Sequence, residues 1–267
     1  MNLLLFLLLF CSYQSFDAYI TIEAGTYTIG KTDHPINEQK EVYVDAFKIS
    51  ATEITNEQFL AFIEATAYET TAEIHKNAMT FEVGLAEFEW LEDSTAYWRF
   101  PFGTKKEGIE NKMNHPVTCI SFIDVLAYCE WANERLPTLA EWEIACRANS
   151  KDLYFWGKDA SKINEYGNIW TNATHQDTLI SDQHLFTSPV GIYAPNAWGL
   201  HDMYGNVFEF CADTIPNLPD NQSVAYARGG SWWCSSQSCN YFNSIDIGRV
   251  HRYASFSNHG FRTVKRK

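Results

Sequence analysis

The chain has 267 residues, 46% hydrophobic, 15% aromatic and 20% charged, so it can build a sizeable core and is neither disordered nor fibrous in composition. Its formal net charge of −13 argues against nucleic acid and anionic membrane as partners, since both need a basic face. The same acidity is compatible with cations, with Arg- or Lys-bearing peptides, or with a plain self-repelling surface.

In chain order, the first feature is an apolar run at residues 3–10. It is too short to span a bilayer and has the length of a signal-peptide core. Residues 1–18 are therefore read as a signal peptide and 19–267 as a single domain. The mature chain is expected to be exported, to periplasm, cell surface or secretory lumen, with no transmembrane span. Cys11 as a lipidation site is disfavoured by the bulky Phe10 before it. Without Cys11 six cysteines remain, Cys119, Cys129, Cys146, Cys211, Cys234 and Cys239, an even count that permits disulfides but is too sparse for a disulfide scaffold.

Residues 20–29 and 42–49 read as strands, the second with alternating Val42, Val44 and Ala46. Thr55 and Gln58 form a capping box ahead of Phe59, Phe62 and Ile63 at helical spacing. A second helix is expected from Ser121, with Val125, Cys129 and Ala132 on one face. A third is expected from Thr138, capped with Glu141 and burying Trp142, Ala145 and Cys146. Residues 69–115 read as a long polar and aromatic stretch. From Tyr154 on there is no helical period, and turn signals recur instead, among them Tyr204-Gly205-Asn206 and Arg228-Gly229-Gly230. No linker, repeat or low-complexity segment stands out, and one α+β domain fits best.

Four segments carry a resemblance when taken together: Arg135-Leu-Pro-Thr-Leu-Ala-Glu-Trp-Glu143, Gly199-Leu-His-Asp-Met-Tyr-Gly-Asn-Val-Phe-Glu209, Arg228-Gly-Gly-Ser-Trp232 and Gly260-Phe-Arg262. In this order and spacing the chain resembles the formylglycine-generating enzyme, or sulfatase-modifying-factor, family over roughly residues 20–265. The resemblance implies an irregular C-type-lectin-like α+β fold with little regular secondary structure. Fold alone does not fix function, because oxidases, sulfoxide synthases, ligand-binding proteins and surface lipoproteins share it. The chain lacks a His-x-x-x-His-x-Glu pattern, which disfavours the iron-dependent sulfoxide synthases.

Cys234 and Cys239 stand where the resemblance places a catalytic cysteine pair. It implies that both thiolates bind one Cu(I), and thiolate softness independently favours that ion. A cysteine of a sulfatase-like client, in a Cys-x-Pro-x-Arg motif, would join as third ligand and be converted with O2 to formylglycine. A structural disulfide and two unrelated buried thiols remain the alternatives. Ser231 matches a serine beside the reactive pair, and Asn258 and Phe208 match positions of the substrate groove. Phe208 and Ser238 stand where the family has Trp and Tyr, which implies a changed groove. Cys129 and Cys146 match half-cystines of some members, but the partner positions are Ser244 and Thr263, so both thiols are expected free and buried.

The resemblance further implies two structural Ca2+ sites built from oxygens. One takes Asn168, Ile169, Asp182 and His184, and the other Asp202, Gly205, Val207 and Glu209; Asx turns and ordinary surface carboxylates are the alternatives. The mature chain is expected to be a monomer. Two further functions stay open: a non-catalytic exported binding or structural protein on the same fold, and an oxidase of a small molecule.

Overall fold

The structure is a computed structural model that describes residues 18–172, 174–176, 184–214, 223–235, 238–239 and 241–266. All but the last residue of the expected signal peptide lies outside them.

Three helices arise where they are expected. Thr55 caps α1 (Asn56–Thr66), Ser121 caps α3 (Phe122–Trp131) and Thr138 caps α4 (Leu139–Arg147), each with a reciprocal side-chain bond from the third helical position. A short α2 (Thr71–His75) inside the polar stretch was not expected; it has its own capping box, Thr70 with Glu73, but at five residues leaves no periodicity to read. The same holds for the four-residue α5 (Ile163–Tyr166).

Both expected N-terminal strands are split. Residues 20–29 become β1 (Tyr19–Ile22) and β2 (Gly25–Ile29), and residues 42–49 become β3 (Lys40–Val44) and β4 (Phe47–Ser50). The halves exchange partners, β1 with β4 and β2 with β3, so each run turns a corner between two sheets that alternation alone does not reveal. Two more strands, β5 (Ala78–Thr80) and β6 (Leu91–Asp93), pair within the polar stretch. One four-stranded sheet runs β1-β4-β12-β7, with β7 (Glu134–Arg135) and β12 (Val264–Lys265). The other runs β10-β9-β8-β11 and consists of β8 (Phe208–Thr214), β9 (Val224–Arg228), β10 (Gly248–His251) and β11 (His259–Gly260). This low content of regular structure is the irregular α+β fold that the resemblance implies.

The recurring motif residues prove to be the internal ties between these layers. Glu209 on β8 accepts from Arg262 Nε at 2.6 Å and Nη2 at 2.7 Å, and from Trp142 Nε1 of α4 at 2.7 Å. Glu143 accepts from Arg228 at 2.8 Å, Arg147 at 2.8 Å, Asn37 at 2.8 Å and the Gly30 backbone at 2.6 Å. Glu209, Arg262, Glu143 and Arg228 are all buried, and charges so far from water persist only when paired and hydrogen-bonded. Cys129 and Cys146 are free and buried, and burial pushes both thiols up to about 12, leaving them inert packing groups. Among the described residues no helix is long and apolar enough to cross a membrane.

Candidate functional site

Strand β9 ends at Arg228 and delivers the chain into Gly229 and Gly230, both at positive φ, 90° and 74°. Only glycine fits this turn without strain. A Cβ on Gly230 would stand 2.8 Å from the Phe242 nitrogen, and one on Gly229 would stand 3.1 Å from the Met203 carbonyl oxygen. The turn sets Ser231 at its far end, fully buried, and the Ser231 carbonyl accepts from the Cys234 amide at 2.9 Å. Ser231 and the first cysteine are thereby held in one tight turn.

Cys234 and Cys239 are brought together, with Cα atoms 4.4 Å apart and the sulfurs joined as a disulfide. Both are buried, and Trp232 and Trp233 are buried with them. The Cys234 carbonyl accepts from the Trp170 amide at 2.9 Å, which ties the pair to the loop after α5.

The parallel pairing of β11 with β8 carries the other two groove residues to the same place. His259 lies opposite Phe208, and the Phe208 amide donates to the Asn258 carbonyl at 2.9 Å. Asn258 Nδ2 donates to Ser231 Oγ at 3.0 Å, and the Trp233 amide donates to the same oxygen at 3.3 Å. The Ser231 hydroxyl thus accepts twice, and its own hydrogen stays available. Burial depresses His259 to about 3, so the ring is neutral at physiological pH. Its Nδ1 lies 2.9 Å from Asn258 Oδ1, an acceptor, so Nδ1 carries the proton and fixes the amide with Nδ2 toward Ser231. The His259 ring also stacks on Phe208, centroids 5.1 Å apart. Ser231, Asn258 and Phe208 therefore form one connected group beside the cysteine pair.

The loops expected to hold cations bring Asn168, Ile169, Asp202, Val207 and Glu209 into the buried interior. Asp202 is buried; its Oδ2 accepts from the Gly191 amide at 2.6 Å, and its Oδ1 has no partner. Glu53, which the sequence did not single out, is buried with Oε2 unpartnered. Burial and the neighbouring carboxylates raise Glu53, and burial raises Asp202. Glu209, expected as an oxygen ligand, has both oxygens taken by Arg262 and Trp142. Gly205 sits at φ 77°, and its amide donates to the Gly229 carbonyl at 2.9 Å, directly under the Ser231 turn. Val207 is buried two residues on. In the other loop Asn168 is buried with Oδ1 unpartnered, and its backbone carbonyl accepts from the Asn206 amide at 2.7 Å. Ile169 follows it, buried, and His184 lies with its ring 6.4 Å from that of His115. Asp182 lies outside the described residues. Among the described residues no three His, Cys, Asp or Glu side chains converge on a metal position, so a cation here would draw part of its shell from backbone carbonyls.

The sequence reading also passed over Glu87 and His175, which flank the cysteine pair. No spacing rule connects residues 88 apart, and only the fold brings them together.

Comparison with known proteins identifies the family and the fold. The chain matches the family described as the sulfatase-modifying factor enzyme 1-like domain over residues 10–267. It is 33% identical to the formylglycine-generating enzyme of Mus musculus, over 91% of this chain and 73% of that protein. It is 31% identical to the inactive C-alpha-formylglycine-generating enzyme 2 of Bos taurus, over 80% of this chain and 75% of that one. Among solved structures, PvdO from Pseudomonas aeruginosa shares the fold, with a TM-score of 0.68 and 22% identity over 93% of this chain and 94% of that one.

Proposed function

The chain belongs to the sulfatase-modifying factor enzyme 1-like family, whose curated members include formylglycine-generating enzymes, and on that premise we propose that it oxidises a cysteine of a sulfatase-like client to formylglycine. The observation that carries this reading is the juxtaposition of Cys234 and Cys239 in the turn that holds Ser231, with Ser231 hydrogen-bonded to Asn258.

Two buried sulfurs within bonding reach are a donor set that fits Cu(I) once reduced. Cys234 and Cys239 would hold the ion, and the bound ion would supply the reaction with O2. The chain's own residues do the rest. The Ser231 hydrogen is free to donate to a client atom, because its oxygen already accepts from Asn258 and Trp233. Asn258 keeps Ser231 aimed, and neutral His259 keeps Asn258 from flipping. Phe208, stacked on His259, forms an apolar wall, and the burial of both cysteines keeps water from the sulfurs. The net charge of −13 favours a motif that carries an arginine, as Cys-x-Pro-x-Arg does.

Ca2+ fits the orphaned oxygens of Glu53 and Asp202 and, in the neighbouring loop, of Asn168. Its role would be structural, since Gly205, three residues after Asp202, supports Gly229 under the site. The apolar run at residues 3–10 and the paired cysteines support an exported enzyme, and we infer a monomer.

One observation favours a second reading. The disulfide itself would serve a non-catalytic member of the fold, and the inactive bovine relative has such a name. Titrating the reduced protein with Cu(I) separates the two. One equivalent bound tightly, and lost in Cys234→Ser, supports the oxidase; a pair that resists reduction and takes no copper supports the second reading.

A further inference from the structure

Glu87 and His175 take no part in the arrangement described above, yet His175 touches Trp233, at the start of the cysteine loop. His175 is 1% exposed. Its Nδ1 lies 2.8 Å from each carboxylate oxygen of Glu87, and its Nε2 lies 2.7 Å from the Trp233 carbonyl oxygen. Both ring nitrogens face acceptor oxygens, which fixes the ring between Glu87 and Trp233. The ring lies flat on the Trp233 indole, with centroids 4.3 Å apart and planes 8° apart, and packs against Trp170 at 4.8 Å. Burial acts to raise the Glu87 carboxyl, but its bonds from His175 and from the Ser238 side chain outweigh this and hold it below the usual carboxylate range.

The chain positions give this contact its meaning. Trp233 directly precedes Cys234, and Ser238 directly precedes Cys239. Through the Trp233 carbonyl, the Glu87–His175 contact therefore holds the residue that directly precedes Cys234. The residue after Glu87, Phe88, adds a further contact, setting its ring edge-on to Trp233 at 5.1 Å. It does so from the left-handed region, φ 64°, where a bulky residue is strained and must be held by its surroundings. The Glu87 anchor beside it is such a hold.

We propose that Glu87 and His175 are positioning residues for the cysteine pair, fixing its Cys234 flank through Trp233 so that the sulfurs stay within reach of each other in the reduced state. This rests on reading Cys234 and Cys239 as the working pair, but its consequence can be measured without copper or client. A dithiol held in place closes to a disulfide more readily than one on a loose loop, because less freedom is lost on closure.

The test equilibrates the purified chain with reduced and oxidised glutathione. One dithiol and one oxidised glutathione give one disulfide and two reduced glutathiones, and the closed fraction is read by alkylation and mass spectrometry. Glu87→Ala and His175→Ala are each expected to lower the closure constant at least tenfold, about 30 mV for this two-electron couple. The double variant should fall little further than either single, because the two act as one unit. Glu87→Gln keeps an oxygen acceptor and should recover part of the loss, which a merely structural defect would not allow. If His175→Ala fails to fold, the Glu87 variants decide, since that side chain is 39% exposed. A constant within twofold of wild type in variants with a native near-UV spectrum, or single losses that simply add, would overturn the proposal. That outcome leaves the oxidase reading standing. Conversely, a tenfold loss in a protein that oxidises no client supports the clamp and removes the oxidase.

Discussion

Asn258 donates its side-chain amide to the hydroxyl of Ser231 at 3.0 Å, joining residues 27 positions apart into one polar unit beside the cysteine pair. The contact depends on three separate features of the chain: the Gly229-Gly230 turn, the parallel pairing of β11 with β8, and a neutral His259 that orients the amide.

Removing that amide should disturb alignment more than metal binding. Asn258→Ala is expected to lower kcat/KM for a client peptide about 100-fold, the order of loss that small misplacements produce. Cu(I) stoichiometry should be unchanged. Steady-state kinetics with a parallel copper titration checks this, and a variant that loses copper instead would place Asn258 in the metal site.

Acid should act through His259. Its value in the fold, about 3, lies below the ordinary 6.5, so the unfolded chain binds more protons between those limits. Stability from this group is therefore complete above about pH 6.5 and is lost as the pH falls toward 3. His259→Gln should flatten the stability profile in that window by up to about 1.4 kcal/mol per pH unit. Urea unfolding of both proteins from pH 7 to 4 gives the comparison, and identical slopes would refute the assignment.

Divalent cation should stabilise the fold. Ca2+ at about 100 times its Kd contributes about 2.7 kcal/mol, or a rise in Tm of about 5–10 °C for a chain of this size. Chelation should reverse the rise, and Asp202→Asn or Glu53→Gln should abolish most of it. Scanning calorimetry with Ca2+ and with EDTA reads this directly, and equal Tm values would remove the cation from the account.

The Glu209–Arg262 pair should be far more costly to break than a surface ion pair. Both residues are fully buried, and Arg262 also donates to the His201 carbonyl at 2.9 Å. Arg262→Ala leaves an uncompensated buried carboxylate and is expected to destabilise by about 3–5 kcal/mol. Equilibrium unfolding measures it, and a loss under 1 kcal/mol would show that the pair is not the tie described.

Much of this was legible in the sequence because it is local. The capping boxes at Thr55 and Thr138 each need only four residues, and with the start at Ser121 they placed three helices. The Gly-Gly-Ser turn and the five-residue spacing of the cysteines are also short-range signals. What the sequence hid is long-range. The exchange of partners among β1 to β4 depends on which sheet each half joins, and five-residue α2 carries no period. Glu53 looked like any carboxylate ahead of a helix, and only its burial with an unpartnered oxygen singles it out. That Arg262 and Trp142 both bond to Glu209 is likewise a long-range fact, seen only in the fold. His175 and Glu87 are joined by the fold alone.

The most direct test of the central claim uses the reduced, Cu(I)-loaded protein, incubated in air with a Cys-x-Pro-x-Arg peptide and followed by mass spectrometry. The account expects an aldehyde in place of the peptide thiol, absent without copper and absent in Cys234→Ser. Peptide that remains a thiol, with Cys234 recovered bridged to Cys239 after reduction and copper loading, would contradict it.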